Sequence, residues 1–448
     1  MAVAVQGLRY QYVAITSLDG KNKIDLTNSI TKDLTNSITS IDYYEDILSP
    51  CITMTINITN SYSIFNRLPI RGGESVSMQI ETVSGTFLLE GENAMYVYKV
   101  SNLKAENTNE SFTLHLVSRE GLTNETVRCQ TVYRGNLQNT VTKILKDDLK
   151  TKKFKSENIE PTSNSYSFIG NNKKPFHTLQ WLGPKAVPTT SGGPTGTSGS
   201  DQSGIAKGTA GFFFYENRDG FNFRSIDSLV SNTRIAVSSA NKKKVYNYSY
   251  EQFVIEHNNL NNNFKIINYN FEKNIDLMKS LRVGMYSNKT YFYDLFSNSL
   301  DLYKYTLKDQ VKNKLGAAEG IAVSNEFGDS ISRIMVKVAD RGVLNSNGSV
   351  SDKLRSGADM AMAYSRYNLL FSQALNMNVP LNINLKCGDI IYAQFPKMEP
   401  ANTGEVDPEQ SGFYLIKELR HHFDPTNKML TSMRLIRDSY GLYGPKNV

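Results

Sequence analysis

The stretch SGFYLIKELRHHFDPTNKMLTSMRLIRDSYG, Ser411–Gly441, decides the fold. It reads as two alternating strands joined by a polar turn that carries Pro425. On the first strand, Phe413, Leu415, Leu419 and Phe423 are expected on one face and Glu418, Arg420 and His422 on the other. Apolar residues at every second position give a half-buried antiparallel strand. CGDIIYAQFP, Cys387–Pro396, supplies a third strand just before them.

The same period recurs upstream. Ile334, Val336 and Val338 alternate with Met335, Lys337 and Ala339, which predicts a strand. Leu354, Met360, Ala363, Tyr367, Leu370, Phe371 and Leu375 are spaced for one buried helix face, so a long helix is expected over Asp352–Met377, ended by Pro380. Residues 1–117 are nearly all strand-like. Ile52, Met54, Ile56 and Ile58 alternate with Thr53, Thr55, Asn57 and Thr59, and Val76, Met78 and Ile80 repeat the pattern. Gly72-Gly73 and Gly85 mark turns. Several short strands with tight turns predict a barrel or sandwich. The tandem DLTNSIT at Asp25–Thr31 and Asp33–Thr39 fits a duplicated exposed loop, which costs little closure entropy.

From residue 118 the texture changes. Leu137, Val141, Ile144, Leu145 and Leu149 have helical spacing after Gly135-Asn136. A short helix is expected at Pro175–Leu182, with Trp181 in the core. Thr189–Gly204, rich in Gly, Ser and Thr, is expected to be a flexible loop. GFFFYENRDGFNFRSI, Gly211–Ile226, reads as a hairpin turning at Asn217–Gly220. A helical stretch is expected near Phe271–Leu281, before GMYSNKTYFYDL, Gly284–Leu295, a strand pair or one bent strand.

The 448 residues include 25 Tyr and 21 Phe, placed mostly in strand-like segments. The net charge of +7 is scattered, without the aromatic interleaving of a single-strand binding groove. Cys51, Cys129 and Cys387 are far apart and expected as buried thiols. The opening MAVAVQGLRYQYVAIT lacks a basic segment followed by an apolar core, so no signal peptide is expected. No run of about 18 apolar residues predicts a membrane span.

No catalytic pattern emerges. The five histidines form no HExxH arrangement. His421 and His422, adjacent on a strand, face opposite sides and cannot chelate one ion. No G-x-S-x-G elbow occurs, and no Cys has a nearby His. No catalytic, metal-ligating or cofactor-binding residue is predicted.

Four segments carry a family resemblance. SIDYYEDILSP with LPIRGGESVSMQI, GFFFYENRDGFNFRSIDSL, GMYSNKTYFYDL, and the series CGDII, SGFYLIKELRHHF and SMRLIRD occur in an order that resembles the baseplate hub of T-even-like, cyanophage-type contractile-tailed phages. The Thr189–Gly204 loop departs from that pattern as an insertion.

The resemblance implies a mainly β (α+β) fold. Two tail-tube-like β-barrel domains would flank an α/β insert and assemble as a pseudo-six-fold trimeric ring. The units would be 1–117, an insert and central region at 118–330 with a flexible loop within 187–210, a second barrel at 331–440 that includes the helix at about 352–377, and a tail at 441–448. It implies a homotrimer whose partners are a central spike protein, a tail tube or tube-initiator protein and the surrounding baseplate wedge proteins. Genome DNA would pass through a lumen without specific binding. The wall of that lumen is expected to be polar and not strongly positive, because lysine and arginine there would hold phosphates. Glu418, Arg420, His422, Arg434, Tyr440 and Tyr443 are the expected interface residues. The implied location is the tail baseplate of a virion assembled in a host cytoplasm. A hub of a related contractile secretion apparatus is one alternative, disfavoured because the chain carries no fused spike helix. A baseplate-carried cell-wall-degrading enzyme is another, disfavoured because no catalytic arrangement appears.

Overall fold

The computed structural model describes residues 8–27, 37–60, 64, 68–106, 109–189, 209–230, 245–250, 264–273, 276–295, 297–306, 315–316, 325–338, 350–397, 406–424 and 429–441. Most of the duplicated DLTNSIT segment, residues 190–208 of the predicted loop, and Tyr443 lie outside them. The fold is mainly β with helical insertions.

The first eight strands are β1 (Arg9–Thr16), β2 (Lys23–Asp25), β3 (Ile38–Asp46), β4 (Thr53–Asn60), β5 (Ser75–Thr82), β6 (Gly85–Leu89), β7 (Met95–Glu106) and β8 (Asn109–Ser118). They pair antiparallel in the order β3-β4-β8-β7-β5-β1-β2, with β6 beside β5. Val13, Ile41, Met54, Val76, Phe87, Val97 and Leu114, from seven of these strands, meet in one buried cluster. One sheet brings that many inner faces together only by rolling around its own core. Among the described residues no ladder closes the roll completely.

A compact insert follows, with helices Arg119–Thr126, Leu137–Lys143 and Pro175–Leu182. The second of these continues as a π-helical turn, Ile144–Asp148. Two short strands, β9 (Val132–Tyr133) and β10 (Phe168–Ile169), pair with each other, and β11 (Phe212–Asn217) and β12 (Gly220–Ser225) form the predicted hairpin. Trp181 is not core, being 39% exposed; its ring packs edge-on against Phe168 at 5.2 Å and carries the Lys185 ammonium at 4.5 Å. Cys129 and Cys387 are buried thiols, while Cys51 is only partly buried.

The remaining strands are β13 (Tyr246–Ser249), β14 (Asn268–Lys273), β15 (Ser287–Asp294), β16 (Ser299–Thr306), β17 (Arg333–Val338), β18 (Gln373–Pro380), β19 (Ile390–Gln394), β20 (Gly412–Phe423) and β21 (Leu430–Arg437). The second sheet runs β13-β19-β20-β21-β18-β14 around Tyr248, Leu375, Ile391, Tyr414, Ile416, Leu419 and Leu435. A bridge between Ser249 and Lys265 brings its two edges together. β13 and β14 lie within the segment read as insert and central region, yet they hydrogen-bond into this sheet.

Three readings need correction. The helix expected over Asp352–Met377 is Val350–Leu370. Phe371 and Ser372 close it by bonding back three residues to Asn368 and Leu369. From there Leu375, Met377 and Val379 alternate with half-exposed Asn376 and Asn378, a strand period that overrides the helical one. The stretch near Phe271–Leu281 divides at Asp276, whose side chain caps the helix Leu277–Arg282 by accepting the Lys279 N–H, while Phe271 stays in β14. β17 does not join the second sheet. It pairs parallel with β15 in a separate sheet, β16-β15-β17, backed by the long helix.

Candidate functional site

β20 joins the two rolled sheets. Along one edge its residues 412–415 pair with β19, and residues 418–423 pair with β3; β21 lies along the other edge. The changeover occurs at Lys417, the extra residue of a β-bulge between Ile416 and Glu418. A bulge leaves one residue unpaired and sharpens the local twist. Here it also resets the alternation, so Phe413 and Leu415 do not share a face with Leu419 and Phe423. Phe413 and Leu415 pack under the insert, with Phe213, Tyr215 and Leu370. Leu419 lies in the second core with Ile416, and Phe423 in the first.

Glu418, Arg420 and His422 therefore fall on one face beyond the bulge, and that face is a continuous polar ladder. Glu272 on β14 pairs with Arg434 Nε at 2.8 Å, and Arg434 Nη1 reaches Glu418 Oε1 at 3.2 Å. Lys417, nearly buried, bridges Glu418 and Asp46, the latter at 3.3 Å. Arg420 donates to Asp42 at 2.8 Å, and His422 Nδ1 lies 2.6 Å from the same carboxylate. The ladder continues onto the first sheet in neutral groups. Asn57 donates to Ser40 at 2.9 Å, Thr113 donates to Asn57 at 2.8 Å, and His115 and Ser101 share a hydrogen bond at 2.7 Å.

Of the expected interface residues, Glu418, Arg420, His422 and Arg434 are brought together here, each with a partner inside the chain. Tyr440 lies elsewhere, its hydroxyl donating to the Ser372 carbonyl at 3.3 Å. Burial alone would raise the Asp42 carboxyl, but the hydrogen bonds and charges of His422 and Arg420 outweigh it and hold it below the usual carboxylate range. Burial pushes Asp46 up, against the Leu48 N–H and the Lys417 charge. His421 points the other way from His422 and is buried, hydrogen-bonded to Thr431 and the Leu385 carbonyl. Burial, then the Arg218 charge, hold it to about 3.

Sequence reading missed Asp42, Asp46 and Glu272, because their strands are far from Ser411–Gly441 in the chain. The neutral continuation had a visible signal, the Thr-Asn half of the alternation in Thr53–Thr59. Among the described residues no group of His, Cys, Asp and Glu is arranged to hold a metal ion, and no helix is long and apolar enough to cross a membrane.

The arrangement of two rolled sheets joined through one strand, with an insert docked over the junction, is similar in fold to solved tail proteins of phage type. The chain superposes on the tail protein from Neisseria meningitidis MC58 with a TM-score of 0.52, covering 96% of this chain and 97% of that one at 10% identity. It also superposes on the 43 kDa tail protein of prophage MuSo2 from Shewanella oneidensis, with a TM-score of 0.51, coverage of 96% and 99%, and 9% identity. No protein-family model matches the chain, and no curated protein matches it by sequence.

Proposed function

We propose that this protein is the structural hub of a contractile phage tail baseplate and catalyses no reaction. The observation that carries this reading is the pair of rolled sheets in one polypeptide, joined side by side through β20 and β3. Three such chains present six sheet units to a six-fold tail tube and three-fold symmetry to a central spike. Cyclic symmetry closes such a ring through head-to-tail contacts. Residues 1–117 form one tube-like unit. Strands β18 to β21, completed by β13 and β14 from within 118–330, form the other, with β17 and the long helix outside its sheet. The baseplate wedge proteins surround the ring, and the assembly forms in the host cytoplasm.

In this reading the polar ladder lines the channel. Its acids are Asp42, Asp46, Glu272 and Glu418, and its bases Lys417, Arg420 and Arg434, paired with one another. A wall of paired charges and neutral amides lets a polyanion pass, since affinity for nucleic acid comes from unpaired lysine and arginine that release counterions.

Light scattering on the purified chain, followed by co-purification with the spike and tube proteins of the same tail, tests the proposal. A mass of three chains and a complex with both partners are expected. A monomer at every concentration, or a particle without three-fold symmetry, would overturn it.

A further inference from the structure

Among the described residues, the sheet β16-β15-β17 is covered on one face only. Asn288, Thr290 and Phe292 of β15 are buried against the helix Val350–Leu370, with Asn288 Nδ2 donating to Ser365 Oγ at 2.7 Å. The register aligns the other face in rows, Leu302-Tyr291-Val336 and Leu300-Tyr293-Val338, with Ile334 in the row before. Of these, Leu300, Leu302, Ile334, Val336 and Val338 are 50% to 74% exposed. β-branched and leucine side chains in register normally mark a core face. Left bare, such a patch marks an interaction site.

The row that ends the patch is cationic. Lys289 and Lys304 stand directly opposite each other, and like charges so placed repel. Arg333, one residue before Ile334, pairs with Asn288 and so falls on the helix-covered face, where it donates to the Arg282 carbonyl at 2.9 Å. Lys289, with its ammonium 5.2 Å from the centre of the Tyr291 ring, and Lys304 form no ion pair among the described residues. The partner that fits is therefore apolar with an acidic border.

This chain carries such a surface. The β5–β6 hairpin, ETVSGTFLLEGE at Glu81–Glu92, holds three glutamates and no lysine or arginine in a chain of net charge +7. Val83 and Leu88 are 62% and 45% exposed on it. Glu90 accepts a hydrogen bond from the Tyr12 hydroxyl at 2.8 Å, and Glu92 makes only a loose surface contact with Lys152 at 3.8 Å. A two-fold contact of the sheet face with itself would leave its cations unneutralised. A head-to-tail contact pairs them with carboxylates, and head-to-tail contacts are the kind that close into rings.

We propose that the exposed face of β16-β15-β17 is the docking surface for the β5–β6 hairpin of a second copy of this chain. The inference rests on the trimeric hub reading and names its subunit contact. The opposed lysines set orientation, and the aliphatic rows supply the buried centre.

The test uses the full chain. L302D/V336D alters exposed residues only, so its thermal unfolding should match wild type while its self-association weakens by about tenfold or more. K289E/K304E and E81K/E90K should each weaken assembly, and combining the two reversals should restore it. If the wild type is a trimer and L302D/V336D is an equally tight trimer, this inference fails while the hub reading stands. If single reversals weaken assembly and the combination does not restore it, the hairpin is the wrong counterpart. A wild type that stays monomeric at all concentrations overturns both.

Discussion

The Cys387 backbone N–H donates to Glu45 Oε2 at 2.7 Å, linking residues 342 positions apart. The other oxygen, Oε1, accepts the Arg218 N–H and the Tyr43 hydroxyl, both at 2.8 Å. One buried carboxylate thus ties β3 of the first sheet to the turn of the insert hairpin and to the loop before β19. The geometry holds these three parts of the chain in one relative position. Glu45→Gln presents an amide N–H where an acceptor is required and should cost about 2–3 kcal/mol in a urea unfolding measurement.

Burial pushes the Glu45 carboxyl up to about 7, against the pull of its three donors. From the ordinary carboxylate range up to about pH 7, the folded chain then holds a proton that the unfolded chain has released. Stability contributed by this group falls as pH rises through that interval and levels off above it. His421 acts in the opposite sense. Its folded value near 3 means that the unfolded chain binds the extra proton, so stability rises with pH up to the ordinary histidine range. Comparing wild type with Glu45→Gln between pH 5 and pH 8 isolates the glutamate, and the wild type should lose up to about 3 kcal/mol relative to the variant as pH rises. Parallel pH profiles would contradict this assignment.

Arg366, fully buried, donates from Nη1 to Asp438 at 2.9 Å and lies 3.5 Å from Asp227 through Nη2. It pins the long helix to the helical turn after β12 and to the residue after β21. Arg366→Met strands two buried carboxylates and should cost about 3–5 kcal/mol, whereas R366M/D227N/D438N should recover part of the loss because no unpaired charge is left inside. Urea midpoints of the single and triple variants decide the matter. Equal midpoints for the two would mean that the stranded carboxylates are not the source of the loss.

Gly220 turns the insert hairpin with φ +110°, and a Cβ there would sit 2.1 Å from the Lys153 carbonyl oxygen. That carbonyl accepts the Phe221 N–H at 2.7 Å, so it cannot move aside freely. Gly220→Ala should destabilise by more than about 2 kcal/mol. Gly20→Ala, at φ +70° with nothing within 4 Å, should cost only the left-handed strain of about 1 kcal/mol. Thermal unfolding of the pair separates close approach from backbone conformation, and similar losses would show that the approach does not matter.

Much of this architecture is legible in the chain because alternation is local. Ile52–Thr59 shows its buried and solvated faces directly, and the hairpin Phe212–Ser225 is announced by its turn residues. Three features were hidden for physical reasons. The end of the long helix was masked because Phe371 and Leu375 suit a helix face as well as a strand, and only pairing with β14 and β21 decides between them. Ile334, Val336 and Val338 carry a core pattern on an exposed face, a contradiction that no single-chain rule anticipates. The polar ladder was half visible. Glu418, Arg420 and His422 share a face by period alone, but Asp42, the partner of Arg420 and His422, and Asp46, the partner of Lys417, arrive by tertiary pairing of β20 with β3, more than 370 residues away by chain.

The bulge at Lys417 is the feature on which the junction turns. Its carbonyl accepts the Ile47 N–H at 3.0 Å, and its ammonium neutralises Asp46. Ile416 pairs with Leu435, and Glu418 with Arg434, so deleting Lys417 leaves a regular ladder with β21 in the same register. What the deletion removes is the extra twist that carries the edge of β20 from β19 to β3, together with the acceptor for Ile47. Lys417→Met keeps the bulge and removes only the charge, which should lower the urea midpoint by an amount worth about 1–2 kcal/mol while unfolding remains a single transition. Deletion should uncouple the sheets, so that unfolding followed by far-ultraviolet circular dichroism and by fluorescence of Trp181 no longer coincides. A deletion variant that unfolds in one transition at the wild-type midpoint would show that the two sheets do not depend on this residue for their union.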